Sequence, residues 1–150
     1  MNKLSTSVVA GIGAAIAIGI LTFSNQSYSD FILVMAPFGA STVIVFGLPN
    51  SPLAQPKNVI FGHLITAAVG LGFVHFIGVN PATLAIATGI GVSAMLLTDT
   101  THPPAGANPL FIMMSSQLLG WSFLITPVLI GTITIVLVGK AMQSWQRKYA

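Results

Sequence analysis

Between Lys3 and Lys57 the only formally charged side chain is Asp30, and between Lys57 and Lys140 the only one is Asp99. A soluble domain carries roughly 25% charged residues. Here the share is 5%, beside 54% hydrophobic residues. A chain of 150 residues has too little interior to hide that much apolar surface from water. Hydrocarbon as solvent removes the conflict, because apolar side chains can then face outward. The expected fold class is an all-α polytopic membrane protein.

The same composition narrows the chemistry. Cysteine is absent, which excludes disulfides, thiolate nucleophiles and cysteine metal sites. Glutamate is absent as well, and no HExxH or Walker-type phosphate loop occurs. His63 and His75 lie twelve residues apart on one apolar run, too far along a helix to share a metal ion. No enzyme, cofactor or metal is expected. The five bases, Lys3, Lys57, Lys140, Arg147 and Lys148, are too scattered for a nucleic-acid surface. They read instead as topology markers.

Apolar runs cover about residues 7–23, 31–48, 59–79, 82–97 and 109–139. The first is read as a membrane helix rather than a cleaved leader, since no small-x-small cleavage site follows it. The second is interrupted by Pro37 and Gly39. The last is too long for one crossing: a helix there would measure about 46 Å against a hydrocarbon core of about 30 Å. Gln117 and Gly120 mark a break, giving a short piece over 104–117 and a full span over 118–139. Six crossings put Lys3, Lys57, Lys140, Arg147 and Lys148 on one side, cytoplasmic by the positive-inside tendency. Four full spans with two re-entrant pieces, or five crossings, remain open alternatives. Trp145, Arg147, Lys148 and Tyr149 suit an interfacial anchor.

Two halves echo one another. Pro37-Phe38-Gly39-Ala40-Ser41 matches Pro104-Ala105-Gly106-Ala107-Asn108. Gly11-Ile12-Gly13 precedes the first and Gly89-Ile90-Gly91 the second; Leu64-Ile65-Thr66 follows the first and Leu124-Ile125-Thr126 the second. The reading is a single transmembrane domain over 1–150, built of two three-element repeats at about 5–79 and 81–140. With three crossings each, the second is inverted relative to the first. Each repeat carries a short broken or re-entrant helix, starting at Pro37 or Pro104. Interrupted segments at equivalent places in two halves point to a binding site.

A helix that starts inside the membrane leaves its first N–H groups unpaired and carries the positive end of its dipole. Such starts attract an anion without any buried base. The candidate binding residues are therefore Pro37, Gly39, Ala40, Ser41 and Thr42 on one short helix, with His102, Pro104, Gly106, Ala107 and Asn108 on the other. Gly39 and Gly106 permit close backbone approach; Ser41, Thr42 and Asn108 supply donors. His102 titrates near neutrality and, with Asp99 close by in sequence, suits proton coupling. Lys57 suits an anion entry point.

Three segments then carry a resemblance: Ala36-Pro37-Phe38-Gly39-Ala40-Ser41, Ser51-Pro52-Leu53-Ala54-Gln55-Pro56-Lys57-Asn58, and Thr101-His102-Pro103-Pro104-Ala105-Gly106-Ala107. In this order they resemble the HPP family of integral membrane proteins, over about residues 5–140. That resemblance implies a four-span membrane domain and, as in plant chloroplast and cyanobacterial members, transport of nitrite or a similar small anion. It implies a bacterial or cyanobacterial plasma (inner) membrane location. Family members often carry arginine where Lys57 stands, so a cation is kept but the bidentate fork is lost. The CBS regulatory domain of some bacterial members is not expected here. The expected partners are the anion, membrane lipid and further copies of the chain, with a dimer the simplest oligomer. A passive anion channel and a structural membrane protein without transport are the alternative readings.

Overall fold

A computed structural model describes residues 3–27, 34–115 and 117–149, with side chains over 3–24, 34–115 and 117–148. Asp30 and the start of the second apolar run lie outside them. Among the described residues the structure is helical, with no strand. The helices are α1 (Lys3–Ser27), α2 (Ala36–Gly47), α3 (Pro56–Phe76), α4 (Pro81–Leu97), α5 (Asn108–Met113) and α6 (Ile130–Tyr149).

Helix starts follow local chemistry. Proline occupies the first turn of α2, α3, α4 and α5, where its missing N–H does no harm. At α4 the Asn80 side chain accepts from the Thr83 N–H at 3.0 Å and the Thr83 hydroxyl accepts from the Asn80 N–H at 2.9 Å, a reciprocal cap. Three boundaries differ from the sequence reading. The short helix expected over 104–117 starts only at Asn108 and ends at Met113, because the paired prolines Pro103 and Pro104 open a 3-10 turn first. Residues 25–27, expected in a loop, continue α1, since nothing there breaks the hydrogen-bond ladder. The last span is not one helix from 118. A 3-10 turn (Trp121–Leu124) and a π turn (Ile125–Leu129) precede α6, and Thr126 is extended at φ −124°, ψ 114°. Pro127 supplies no N–H and its ring disfavours a helical residue before it.

Among the described residues three stretches are long and apolar enough to cross a membrane: Lys3–Ser24, Pro56–Phe76 and Trp121–Lys148. Helix α4, with 17 residues, spans about 25 Å. Helix α2, with 12 residues, reaches only about 18 Å. Helix α5 has six residues and follows a five-residue 3-10 turn (Pro103–Ala107). The protein is thus a polytopic helical bundle holding two short helical pieces.

Contacts fix the directions of these helices. Thr6 and Ser7 border one depression with Gly47, so α2 ends near where α1 begins. Pro56 borders another with Lys140, so α6 arrives where α3 starts. At the far end of α3, His75 Nε2–H donates to the Leu119 carbonyl at 2.9 Å and stacks on Trp121 at 5.8 Å. Helices α3 and α6 are therefore antiparallel. Phe38 abuts Gly131, and Val45 lies 2.6 Å from the Cβ position of Gly139, so α2 runs parallel to α6. Asn108 meets His63, Pro109 meets Gly70 and Met113 packs with Phe73, so α5 runs parallel to α3. The two short helices consequently point in opposite directions.

Gly131 exists because of Phe38: a Cβ there would overlap its ring. Phe38 is fully buried in the main core, with Ala17, Val59, Leu71, Val128 and Ile135. The close approach of α2 to α6 depends on that missing side chain. Gly131→Val is expected to destabilise the detergent-solubilised protein by about 1–3 kcal/mol through overpacking, read as a lower thermal midpoint. Adding Phe38→Ala is expected to recover part of the loss, and simple additivity of the two losses would contradict the contact.

Candidate functional site

The two short helices converge on one side chain that sits in neither. His63 lies two turns into α3 and is fully buried. Its Nε2 is 2.8 Å from Ser41 Oγ on α2, and its Nδ1 is 3.0 Å from Asn108 Nδ2 at the start of α5. Ser41 Oγ is also 2.9 Å from Nε2 of His102, whose Nδ1 is 2.8 Å from the Leu53 carbonyl. Asn108 Nδ2 further reaches the His63 carbonyl and Thr66 Oγ1, each at 3.0 Å. The two imidazole centroids lie 5.2 Å apart with their planes tilted by 58°, and Phe38 meets His63 edge-on with ring centroids 5.4 Å apart.

One fixed acceptor orders the protons. A carbonyl only accepts, so His102 Nδ1 carries hydrogen toward Leu53. With His102 neutral, Nε2 is bare and accepts from the Ser41 hydroxyl. Ser41 Oγ then accepts from His63 Nε2–H, and the bare His63 Nδ1 accepts from Asn108 Nδ2–H. A single polarity thus runs from Asn108 through His63, Ser41 and His102 to Leu53. Ser41, His63, Thr66, His102 and Asn108 are all nine-tenths or more buried, and among the described residues no buried side-chain N or O lacks a partner. In a low-dielectric interior such a completed network specifies the packing, whereas one missing member leaves an orphan.

The expected binding residues divide into three groups. Ser41, His102 and Asn108 join the closed network. Pro37, Ala40, Pro104 and Ala107 line an open groove of about 1030 Å³ between α2 and α5, with Ala36, Val43, Ile44, Pro103, Leu110 and Phe111. Thr42 turns its hydroxyl back to the Gly39 carbonyl at 2.7 Å and borders a smaller depression against α1. Gly39 and Gly106 face open space, with no atom within 4 Å of the position a Cβ would take. The first-turn amides are partly answered locally: Phe38 N–H donates to the Met35 carbonyl and Ala105 N–H to the His102 carbonyl.

Asp99 is exposed with φ 51° at the end of α4, and it is not brought onto His102, whose two ring nitrogens are engaged elsewhere. Lys57 is exposed in the first turn of α3. Among the described residues no group of three or more His, Cys, Asp or Glu is placed to hold a metal ion. The sequence reading missed His63, Thr66 and the Leu53 carbonyl. One signal for His63 was available: an imidazole well inside an apolar 21-residue helix needs a partner at that depth.

Comparison with known proteins gives the same context. The family model for the HPP transmembrane region matches residues 1–150. The chain belongs to the HPP family. Two transmembrane proteins of Dictyostelium discoideum are similar to it. One is 32% identical over 87% of this chain and 46% of its own length; the other is 27% identical over 99% of this chain and 54% of its own length. The chain therefore spans about half the length of these relatives. No solved structure matches it. Membership of the HPP family is consistent with small-molecule transport across a membrane.

Asn108→Leu is expected to strip His63 Nδ1 and Thr66 of their donor, at a cost of about 1–3 kcal/mol for the orphaned groups. Thermal unfolding in detergent measures this. A stability equal to wild type would show that Asn108 does not hold His63.

Proposed function

We propose that this HPP protein transports a small inorganic anion, nitrite first among the candidates, along the groove between α2 and α5. The observation that carries the reading is a correspondence between the groove walls. Aligning Pro37 with Pro104, as the motifs do, pairs Ala36 with Pro103, Ala40 with Ala107, Val43 with Leu110 and Ile44 with Phe111. Every one of these residues lines the groove. The same alignment pairs Ser41 with Asn108, and both hold His63.

Neighbour relations support the inverted repeat on which this rests. Helix α1 packs on α2 and α6, α4 packs on α5 and α3, α2 packs on α6, and α5 packs on α3. Exchanging the halves maps each contact onto another, and the opposed directions of α2 and α5 agree. In this reading 1–150 is one transmembrane domain with halves at about 5–79 and 81–140. Broken helices at a repeat interface are where transporters place their cargo.

Anion preference follows from what surrounds the groove. Among the described residues no acidic side chain lines it, and the positive end of α2 opens onto it at Ala36 and Pro37. Ser41, His102 and Asn108 stand directly behind it and supply donors when the network opens. Lys57, exposed in the first turn of α3, serves as collector. The 3-10 turn Pro103–Ala107 borders the groove, and such non-α backbone at membrane depth needs water or protein beside it. A further copy of the chain, as in a dimer, supplies that cover. The plasma (inner) membrane with both termini cytoplasmic fits the clustering of bases.

The test is flux through the reconstituted full chain. Nitrite, nitrate, formate and chloride are compared in proteoliposomes, with nitrite expected to move fastest. Ala107→Phe fills the groove and is expected to lower flux by about ten-fold or more. Leu97→Phe, at a position 86% exposed on α4, is expected to leave flux unchanged. Wild-type flux through folded Ala107→Phe protein would remove the groove from the path.

A further inference from the structure

We propose that His63, Ser41 and His102 form a single-proton relay between the junction of the short helices and the Leu53 carbonyl. This deepens the transport reading by naming the coupling ion and its route. Three features of the geometry carry it. Both imidazoles direct Nε2 at the same hydroxyl, at 2.8 and 2.9 Å. The outer position at His63 can be satisfied with the proton or without it. At His63 Nδ1 the Asn108 amide presents Nδ2 at 3.0 Å and Oδ1 at 3.3 Å, a donor for the bare nitrogen and an acceptor for the protonated one. Ser41 likewise has a second acceptor, the Pro37 carbonyl at 3.2 Å, for the time when His102 Nε2 carries hydrogen.

The transfer balances. A proton binds His63 Nδ1 and the Asn108 amide accepts it through Oδ1. The Nε2 proton of that imidazolium passes to Ser41 Oγ as the Ser41 hydroxyl proton passes to His102 Nε2. His63 is left neutral with hydrogen on Nδ1, and His102 becomes the imidazolium. His102 then releases its Nδ1 proton to water on the Leu53 side, the carbonyl orienting the N–H without itself taking the proton. Ring and hydroxyl reorientation restores the starting tautomers.

The surroundings limit the charge to one. From α2 the pair meets Ser41 and Phe38, from α5 Asn108, from α3 the Thr66 hydroxyl on the His63 carbonyl, and from the 3-10 turn Pro52–Ala54 the Leu53 carbonyl. Lys57 on α3, Asp99 after α4 and Lys140 on α6 are exposed, and among the described residues no Lys, Arg or Asp is buried. Two adjacent imidazolium ions in this interior would repel without a counter-charge. An anion arriving in the groove supplies that counter-charge, which is the physical basis for moving proton and anion together.

The experiment uses the full chain in liposomes containing a pH-sensitive dye. Nitrite entry and proton entry are measured together, and nitrite–nitrite exchange is measured at equal pH. His102→Gln keeps both resting hydrogen bonds, an amide N–H to Leu53 and an amide oxygen for Ser41, but carries no proton. Wild type is expected to admit protons with nitrite, and His102→Gln to lower the proton-to-nitrite ratio by about ten-fold or more. Ser41→Ala serves as second variant with the same expectation. Nitrite exchange in wild type without proton entry, or an unaltered ratio in both variants, would overturn the relay and leave anion transport standing. Proton entry driven by formate or nitrate but not nitrite would keep the relay and remove nitrite. Neither proton entry nor exchange of any anion would remove both.

Discussion

One imidazole holds the centre of this molecule together. His63 is the point at which α2, α3 and α5 meet through polar atoms, and every member of the contact is buried. A lone polar side chain at that depth costs several kcal/mol in hydrocarbon, so the interior tolerates it only when its partners are in register. That requirement ties two helices too short to cross the membrane to one that does. Around it the apolar packing is close. Phe38 fills the place left by the missing side chain of Gly131, and Pro109 reaches within 3.0 Å of the Cβ position of Gly70.

The short helices follow from the same physics. Prolines at their first turns set where they begin, and the segments before them leave the helical ladder. Unwound backbone in a bilayer must meet protein or water. The Pro103–Ala107 turn meets both kinds of surface: Ala105 is buried in the bundle, while Pro103 and Ala107 border the groove. The outcome is a closed polar network on one side of α2 and α5 and an open apolar groove on the other. A network that is satisfied in more than one proton arrangement thus lies beside that groove.

Much of this was legible in the sequence, for identifiable reasons. Scarcity of charge fixed the solvent, and Pro37 marked a helix start because proline acts locally through its own ring; Pro104 marked a 3-10 turn, with α5 starting four residues later at Asn108. The short helices and the break near Gly120 follow from Gly and Pro placement and from simple length. What stayed hidden depends on three-dimensional convergence. His63 looked like one imidazole among apolar neighbours until Ser41 and Asn108, twenty-two and forty-five residues away, arrived beside it. Pro127 was concealed inside an apolar run whose composition alone suggested a continuous helix. Asp99 shows the converse: three residues from His102 in sequence, it turns outward through a left-handed backbone and does not join the network.

The central claim is that the two short helices grip His63 from opposite sides inside the membrane. Correlation NMR of selectively labelled protein in lipid bilayers addresses it directly. The account predicts through-space correlations from the His63 ring to both the Asn108 side-chain amide and the Ser41 Cβ, with Nε2 protonated and Nδ1 bare at neutral pH. A His63 ring correlated only with its own helix and with lipid or water would contradict it.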